Sequence, residues 1–303
     1  MTKIRTQLEA LCLLKDGDLP LDRMALLIAA EHQPKTTLNI DTYLGQLDQL
    51  SNELLERYDA PSSTHLVRFV HEDLRFIGNS QHYHLVDNSY LNRVLDLRRG
   101  IPITLALVYL AIAERIGLSA EGVNFPGHFL IRFNAEPELL IDPFSGRQLS
   151  RSDCAVLLQQ HQGTRAQLID QHLAAASRRG LLMRLIENIK QNFWRDRDWP
   201  AAEQCLNQQR LLEPNQPILE LQLGNLKELR SELDAARIIY AQLIQQSKDS
   251  DIGKMAAQRL LAMAAAKIRS INPEPGVVSF RATPVPLQHA LQPLLSDDPN
   301  RPL

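Results

Sequence analysis

The chain has 303 residues, with 33 Lys and Arg against 35 Asp and Glu and a formal net charge of −2. It therefore offers no basic field to nucleic acid or to an anionic membrane. No run reaches the ~18 uncharged apolar residues that a membrane span needs. The start Met1-Thr2-Lys3-Ile4-Arg5 leads into mixed polar sequence, and Cys12, Cys154 and Cys205 are scattered, so a cytoplasmic protein with reduced thiols and no structural metal or cofactor is expected.

The length suffices for two domains. Residues 1–60 read as a helical layer that covers a core. Leu8, Leu11, Cys12 and Leu14 recur at helical spacing, and a second amphipathic segment runs from Leu21 to Glu31 and is closed by Pro34. A third carries Tyr43, Leu44, Leu47, Leu50, Leu54 and Leu55 on one stripe, with Asn39 or Asp41 as its cap. After the break at Ala60-Pro61-Ser62-Ser63, the residues Leu66, Phe69, Val70 and Leu74 predict a helix ending near Phe76-Ile77-Gly78. His65, His71, His82 and His84 crowd this region, but they share no metal-ligand spacing with a carboxylate or Cys, and a polar surface is the preferred reading. Ser89 is placed to cap a short helix from Tyr90 to Leu97, with Gly100 as its stop.

From Ile103 through Ala113 the only polar side chains are Thr104 and Tyr109, so this helix is apolar on every side and must be internal. It starts at Pro102, where a missing N–H costs nothing. Gly122–Phe133 alternates as a strand, with His128, Leu130 and Arg132 on one side. After the turn-like Asn134-Ala135-Glu136-Pro137, the run Leu139-Leu140-Ile141-Asp142 should return antiparallel. With Phe133 opposite Pro137, His128 lies opposite Asp142 on the same face; a register change of one residue would separate them.

This order of buried helix, His strand and Asp strand resembles the core of the transglutaminase-like (papain-related) superfamily. More narrowly, Asn88-Ser89-Tyr90-Leu91, Arg98-Arg99-Gly100-Ile101-Pro102-Ile103-Thr104, Phe125-Pro126-Gly127-His128-Phe129-Leu130 and Ile141-Asp142-Pro143-Phe144 resemble a bacterial family that joins such a core to a tetratricopeptide-like C-terminus, its members often labelled invasion-gene regulators. The resemblance implies an α+β fold with the buried helix on a small antiparallel sheet. It also implies a Cys-His-Asp triad in which His128 and Asp142 are the orienting pair. The nucleophile's place, counted back from Gly117, falls on Pro102, which cannot attack a carbonyl. Thr104 carries a hydroxyl, but a first-turn residue bonding to nearby backbone is the preferred reading. Cys154, after Ser150-Arg151-Ser152-Asp153, stands at a helix start where the dipole could lower its pKa, yet an ordinary packed Cys is preferred.

Gln159–Arg179 reads as a helical connector ended by Gly180. Beyond it, Ala201-Ala202 and Ala235-Ala236 are 34 residues apart, the tetratricopeptide period, with Pro214 and Gly224 at matching positions. Helices are expected at Leu182–Arg195, Ala201–Leu212, Pro217–Leu229, Leu233–Ser247 and Ile252–Ile268, the first packing on the second and the third on the fourth. Seven of seventeen prolines fall after residue 270, so regular structure is not expected there. The organisation read from sequence is a helical layer at 1–60, a transglutaminase-like core at 61–158, a connector at 159–180, repeats at 181–270 and a tail at 271–303. The preferred function is a non-catalytic interaction or regulatory protein with a protein or peptide partner. A hydrolase or acyl transferase using His128 and Asp142 with Thr104, Cys154 or water is the alternative. Candidate binding residues are Asn88, Tyr90, Arg98, Arg99, Phe125, Trp194 and Trp199.

Overall fold

The computed structural model describes residues 3–33, 38–134, 138–247 and 250–271, the side chains of 266–271 excepted. Pro34, the turn residues Ala135-Glu136-Pro137 and the Pro-rich tail lie outside the described residues. The chain divides into two compact units between Asp196 and Arg197. It is a mostly helical α+β protein with small sheets.

In the first unit, α1 (Lys3–Cys12), α2 (Leu21–His32) and α3 (Ile40–Arg57) form the N-terminal helices. Asn39 caps α3, its side chain accepting the N–H groups of Asp41 and Thr42. The second segment is less amphipathic than expected: Met24 through Ala30 of α2 are all buried, so this helix is itself part of the core. The helix expected to reach Gly78 stops earlier. After α4 (Ser63–Arg68) the winding widens over Phe69–Asp73, Arg75 turns the chain at φ 60°, and Ile77–Gly78 becomes β1. That strand pairs in parallel with β2 (Arg99–Gly100).

Between them lies α5 (Leu91–Leu97). Its ends differ from expectation. Ser89 falls in a 3-10 turn and its buried hydroxyl has no partner among the described residues, while Arg98, at φ 54°, takes the left-handed position assigned to Gly100. Arg98 is held there by donating to the Leu74 carbonyl at 2.9 Å, which replaces the freedom a glycine would supply.

The central helix α6 (Pro102–Arg115) starts at Pro102 as expected, and every residue from Pro102 to Ala113 is buried. Its far end is tied down by Arg115, which meets Asp22 at 2.8 Å and Asp48 at 2.6 Å. Gly117, at φ 73°, lets the Leu118 N–H return to the Ala113 carbonyl at 2.9 Å and close the helix.

The second sheet is antiparallel in the order β3 (Ala120–Val123), β4 (Leu130–Phe133), β5 (Leu139–Asp142), β6 (Arg147–Gln148). The run Gly122–Phe133 is therefore a hairpin and not one strand. Pro126 removes a ladder donor and Gly127 adopts φ 73°, so the chain reverses and Val123 faces Leu130. The return of β5 is antiparallel as expected, but Phe133 pairs with Leu139, two residues from the expected register. A shift of two preserves the face of every side chain.

Helix α6 packs on β3 and β4. Val123, Phe125, Leu130 and Leu140 meet Cys154 and Leu158 of α7 (Arg151–Gln162) in a second cluster. The expected helical connector is mostly irregular after α7, with one 3-10 turn at Asp170–Leu173, and Gly180 lies inside the first turn of α8 (Arg178–Arg195). Helix α8 packs against α2 and α6.

The second unit holds α9 (Trp199–Leu212), α10 (Pro217–Leu229), α11 (Leu233–Gln246) and α12 (Asp251–Ile271), close to the expected ranges. The backbone of α10 approaches α11 closely because Gly224 has no side chain: a Cβ there would lie 2.5 Å from the Tyr240 ring. The Tyr240 hydroxyl donates to Glu228 at 2.7 Å, and Arg259 of α12 donates to the same carboxylate at 3.0 and 2.5 Å. One buried carboxylate thus ties three helices together.

Candidate functional site

His128 stands in the loop just before β4, and Asp142 is the last residue of β5. The His128 Nε2 lies 2.8 Å from Asp142 Oδ1, with the two side chains 12% and 15% exposed. Burial would push the Asp142 carboxyl up. The hydrogen bond and charge of His128, the Ser145 hydroxyl and the Phe144 N–H outweigh it and hold the carboxyl below its ordinary value. Ser145 Oγ donates to Oδ2 at 2.6 Å and Phe144 N to Oδ1 at 2.9 Å. The ionised carboxylate fixes Nε2 as the donor to Oδ1. Nδ1 has no hydrogen-bond partner among the described residues.

Backbone hydrogen bonds link this loop to the start of α6. The Phe144 carbonyl accepts the Gly78 N–H at 2.9 Å, and the Gly100 carbonyl accepts the Asn79 N–H at 3.0 Å. The Phe144 ring lies directly over Gly78, where a Cβ would come within 2.5 Å of it. Two short strands thus bridge the Asp142 turn and the residue two before Pro102.

At that helix start Thr104 is fully buried. Its hydroxyl donates to the Asn88 carbonyl at 2.6 Å, accepts the Ile101 N–H at 3.2 Å and lies 3.0 Å from the Ile101 carbonyl. Such a hydroxyl closes a turn and is poorly placed to attack a ligand. The fully buried Tyr109, farther along α6, has a hydroxyl without a partner among the described residues; burial and the nearby Asp142 charge hold its proton on.

Cys154 is a packed residue, as preferred, and the alternative of a dipole-lowered thiol falls away. It lies in the second turn of α7, 0% exposed, and burial together with the Asp153 charge pushes its pKa up. A protonated, enclosed thiol is a weak nucleophile.

The binding candidates scatter. Asn88 is 3% exposed; its amide donates to the His82 and Tyr83 carbonyls at 2.6 and 3.1 Å and accepts from Asn79 at 2.9 Å. Tyr90 is buried beside His32, and Phe125 is 0% exposed in the β-sheet–α7 cluster. All three serve packing. Arg98 and Arg99 are exposed; Trp194 and Trp199 are half-buried, at the end of α8 and the start of α9. Of the four clustered histidines, His65 stacks on Tyr58 and His71 packs against Gly146. Among the described residues no group of three or more His, Cys, Asp or Glu side chains converges on a metal-sized space.

Two residues beside His128 gave no sequence signal. Arg184 of α8 donates to Asn124 Oδ1 at 2.6 Å and to the His128 carbonyl at 3.4 Å. The ring of His161, at the end of α7, stacks on His128 with centroids 5.9 Å apart and planes 19° from parallel. Both come from helices distant in sequence. Ser145 could have been found: an Asp followed three residues later by Ser-Gly is a side-chain-capped turn.

Residues 41–187 match the transglutaminase-like superfamily. A UPF0162 protein of Xylella fastidiosa is 32% identical over 258 residues, covering 80% of this chain and 90% of that protein. The chain belongs to the UPF0162 family. A UPF0162 protein of Pseudomonas aeruginosa is 35% identical over 172 residues, 55% of this chain and 62% of its own length. Human F-box only protein 21 shares 39% identity over 102 residues, which are 30% of this chain and 16% of that protein. No solved structure matches. Among the described residues no helix is long and apolar enough to cross a membrane.

Proposed function

We propose that this UPF0162 protein is a non-catalytic interaction protein in which the transglutaminase-like core has lost its nucleophile. The observation that supports it most is the start of α6. Pro102 stands at the first helical position, flanked by buried Ile101 and Ile103, and the nearest hydroxyl, that of Thr104, is engaged in capping. A His-Asp pair without an attacking atom completes no acyl transfer. His128 and Asp142 then hold the hairpin in shape and offer a polar surface for recognition. Because sites are lost from folds more readily than folds are lost, the superfamily match carries the architecture and not the activity.

The helices of residues 181–270 are read as tetratricopeptide-like repeats that hold a protein or peptide segment. The 34-residue spacing, the fully buried Ala202 and Ala236, and the close approach at Gly224 support that reading. Three free cysteines suit a reducing compartment such as the cytoplasm.

The test is covalent. The full chain and its His128→Ala variant are treated with iodoacetamide, an epoxide and a fluorophosphonate and their masses compared. The proposal expects no adduct that depends on His128. An adduct on Thr104, Cys154 or any other residue that forms on the native chain and vanishes in the variant would establish an activated nucleophile and refute it.

A further inference from the structure

Arg184 is the half-buried arginine beside the His-Asp pair, and its surroundings differ from those of three other enclosed arginines in the first unit. Arg115 meets Asp22 and Asp48, Arg132 meets Glu121 and Arg178 meets Glu114, all within 2.9 Å. Among the described residues Arg184 has no carboxylate at salt-bridge distance. It donates to one amide oxygen and one backbone carbonyl, which leaves donors of its five N–H groups free for a ligand. The carboxylate whose charge acts on it, Glu187, is already paired with Lys190 at 2.6 Å, and burial keeps the neighbouring Tyr83 phenol protonated. A guanidinium removed from water without a counter-charge is costly, and an anion supplied from outside relieves that cost.

Two imidazoles lie near Arg184. His161 is exposed and, like Nδ1 of His128, its ring nitrogens have no hydrogen-bond partner among the described residues. Gly127 lets the two rings approach: a Cβ there would lie 2.6 Å from His161, and φ is 73°. Tyr83 and Phe144, 6.0 Å apart, supply an aromatic flank near the same loop.

We infer that Arg184, His161 and His128 form a recognition site for a carboxylate, the terminal or side-chain carboxylate of a bound peptide. The charges match a monoanion. A bound carboxylate needs His128 as the imidazolium, whose Nδ1–H then donates and whose charge Asp142 balances; burial, His128 and Arg184 all lower the proton affinity of His161, so Arg184 supplies the one uncompensated positive charge. A guanidinium fork also fits a planar carboxylate through two parallel bonds. The inference rests on reading this region as a binding surface and gives that surface a ligand class.

The test is a titration of the full chain with N-acetylglycine, a peptide-like monocarboxylate, with inorganic phosphate as the comparison at constant ionic strength, followed through the imidazole NMR signals of His128 and His161. Saturable N-acetylglycine-dependent shifts of both are expected, weakened ~10-fold or more in Arg184→Gln, the order expected for losing a charge-assisted hydrogen bond. His161→Phe keeps the ring stack, removes its donor and should weaken binding a few-fold. Because Arg184 also holds the loop, unliganded His128 signals are compared first. If Gln moves them, Arg184→Lys replaces it, and intermediate weakening is expected. Absent saturation, shifts that persist in the Arg184 variants, or tighter binding of phosphate would each overturn the assignment. Failure of the non-catalytic reading shows elsewhere, as the His128-dependent adduct, so the two outcomes are separable.

Discussion

The start of α6 and the loop that carries Asp142 are joined by two short strands, yet they have opposite character. At Pro102–Thr104 every side chain is buried, and the one hydroxyl is bonded to backbone. Around Asp142 the groups are polar and partly exposed, and an imidazole nitrogen and much of a guanidinium face no acceptor or acid among the described residues. The helix start is packing, while the hairpin side keeps its polar chemistry. On the account proposed here, the hairpin persists because it shapes a recognition surface.

The joint between the two regions should be the most sensitive point. Gly78→Ala forces a Cβ into the Phe144 ring and is expected to destabilise the protein by ~3 kcal/mol in urea unfolding, as overpacking does. Adding Phe144→Leu should recover part of that loss. No recovery would mean that the contact does not couple the strands.

At the helix start, Thr104→Val should cost ~2 kcal/mol because the Asn88 carbonyl and the Ile101 N–H lose their short bonds to the hydroxyl and keep only their long mutual one, 3.4 Å, in a fully buried place. Thr104→Ser should be close to native. A Val variant as stable as the native chain would show that the hydroxyl is not a structural cap.

On the hairpin, Asp142→Asn should cost ~1 kcal/mol at neutral pH. The Asp142 pKa is lower in the folded chain than the ordinary 3.8, so its stabilisation is complete above that value and is lost as pH falls through the folded one. The difference between native and Asn chains should therefore shrink toward about pH 2. A difference that widened in acid would reverse the sign of this interaction. Smallest of all, His161→Phe should change stability by less than ~0.5 kcal/mol, since an exposed side chain without a bonded partner affects folding little. A larger loss would make His161 a structural residue.

Much of this was legible in the sequence where one local rule dominates. A proline at the first turn and nine apolar positions between Ile103 and Ala113 mark out α6, and the helical runs beyond Gly180 locate the C-terminal helices. The meeting of His128 with Asp142 was also foreseen, though by another route: His128 reaches Asp142 from a loop, and the actual register differs by two. The hairpin at Gly122–Phe133 was hidden because Phe129, Leu130 and Ile131 continue the apolar pattern across Pro126-Gly127, so the turn looked like strand. Arg98 took a left-handed position usually given to glycine because a tertiary hydrogen bond holds it. Cys154 is the packed residue its preferred reading gave, since burial, a tertiary property, outweighs any pull of the helix dipole. Arg184 and His161 had no signal at all, since two helices far along the chain bring them to the loop.

The most direct measurement restores the missing atom. Pro102→Cys places a thiol at the first turn of α6, and its titration is followed by thiolate absorbance against Pro102→Cys/His128→Ala. If the His-Asp pair faces the helix start, the new thiol should ionise well below the ordinary value of about 8.5, and removing His128 should return it there. A thiol that titrates at the ordinary value with His128 present would show that the pair faces elsewhere and would contradict the account.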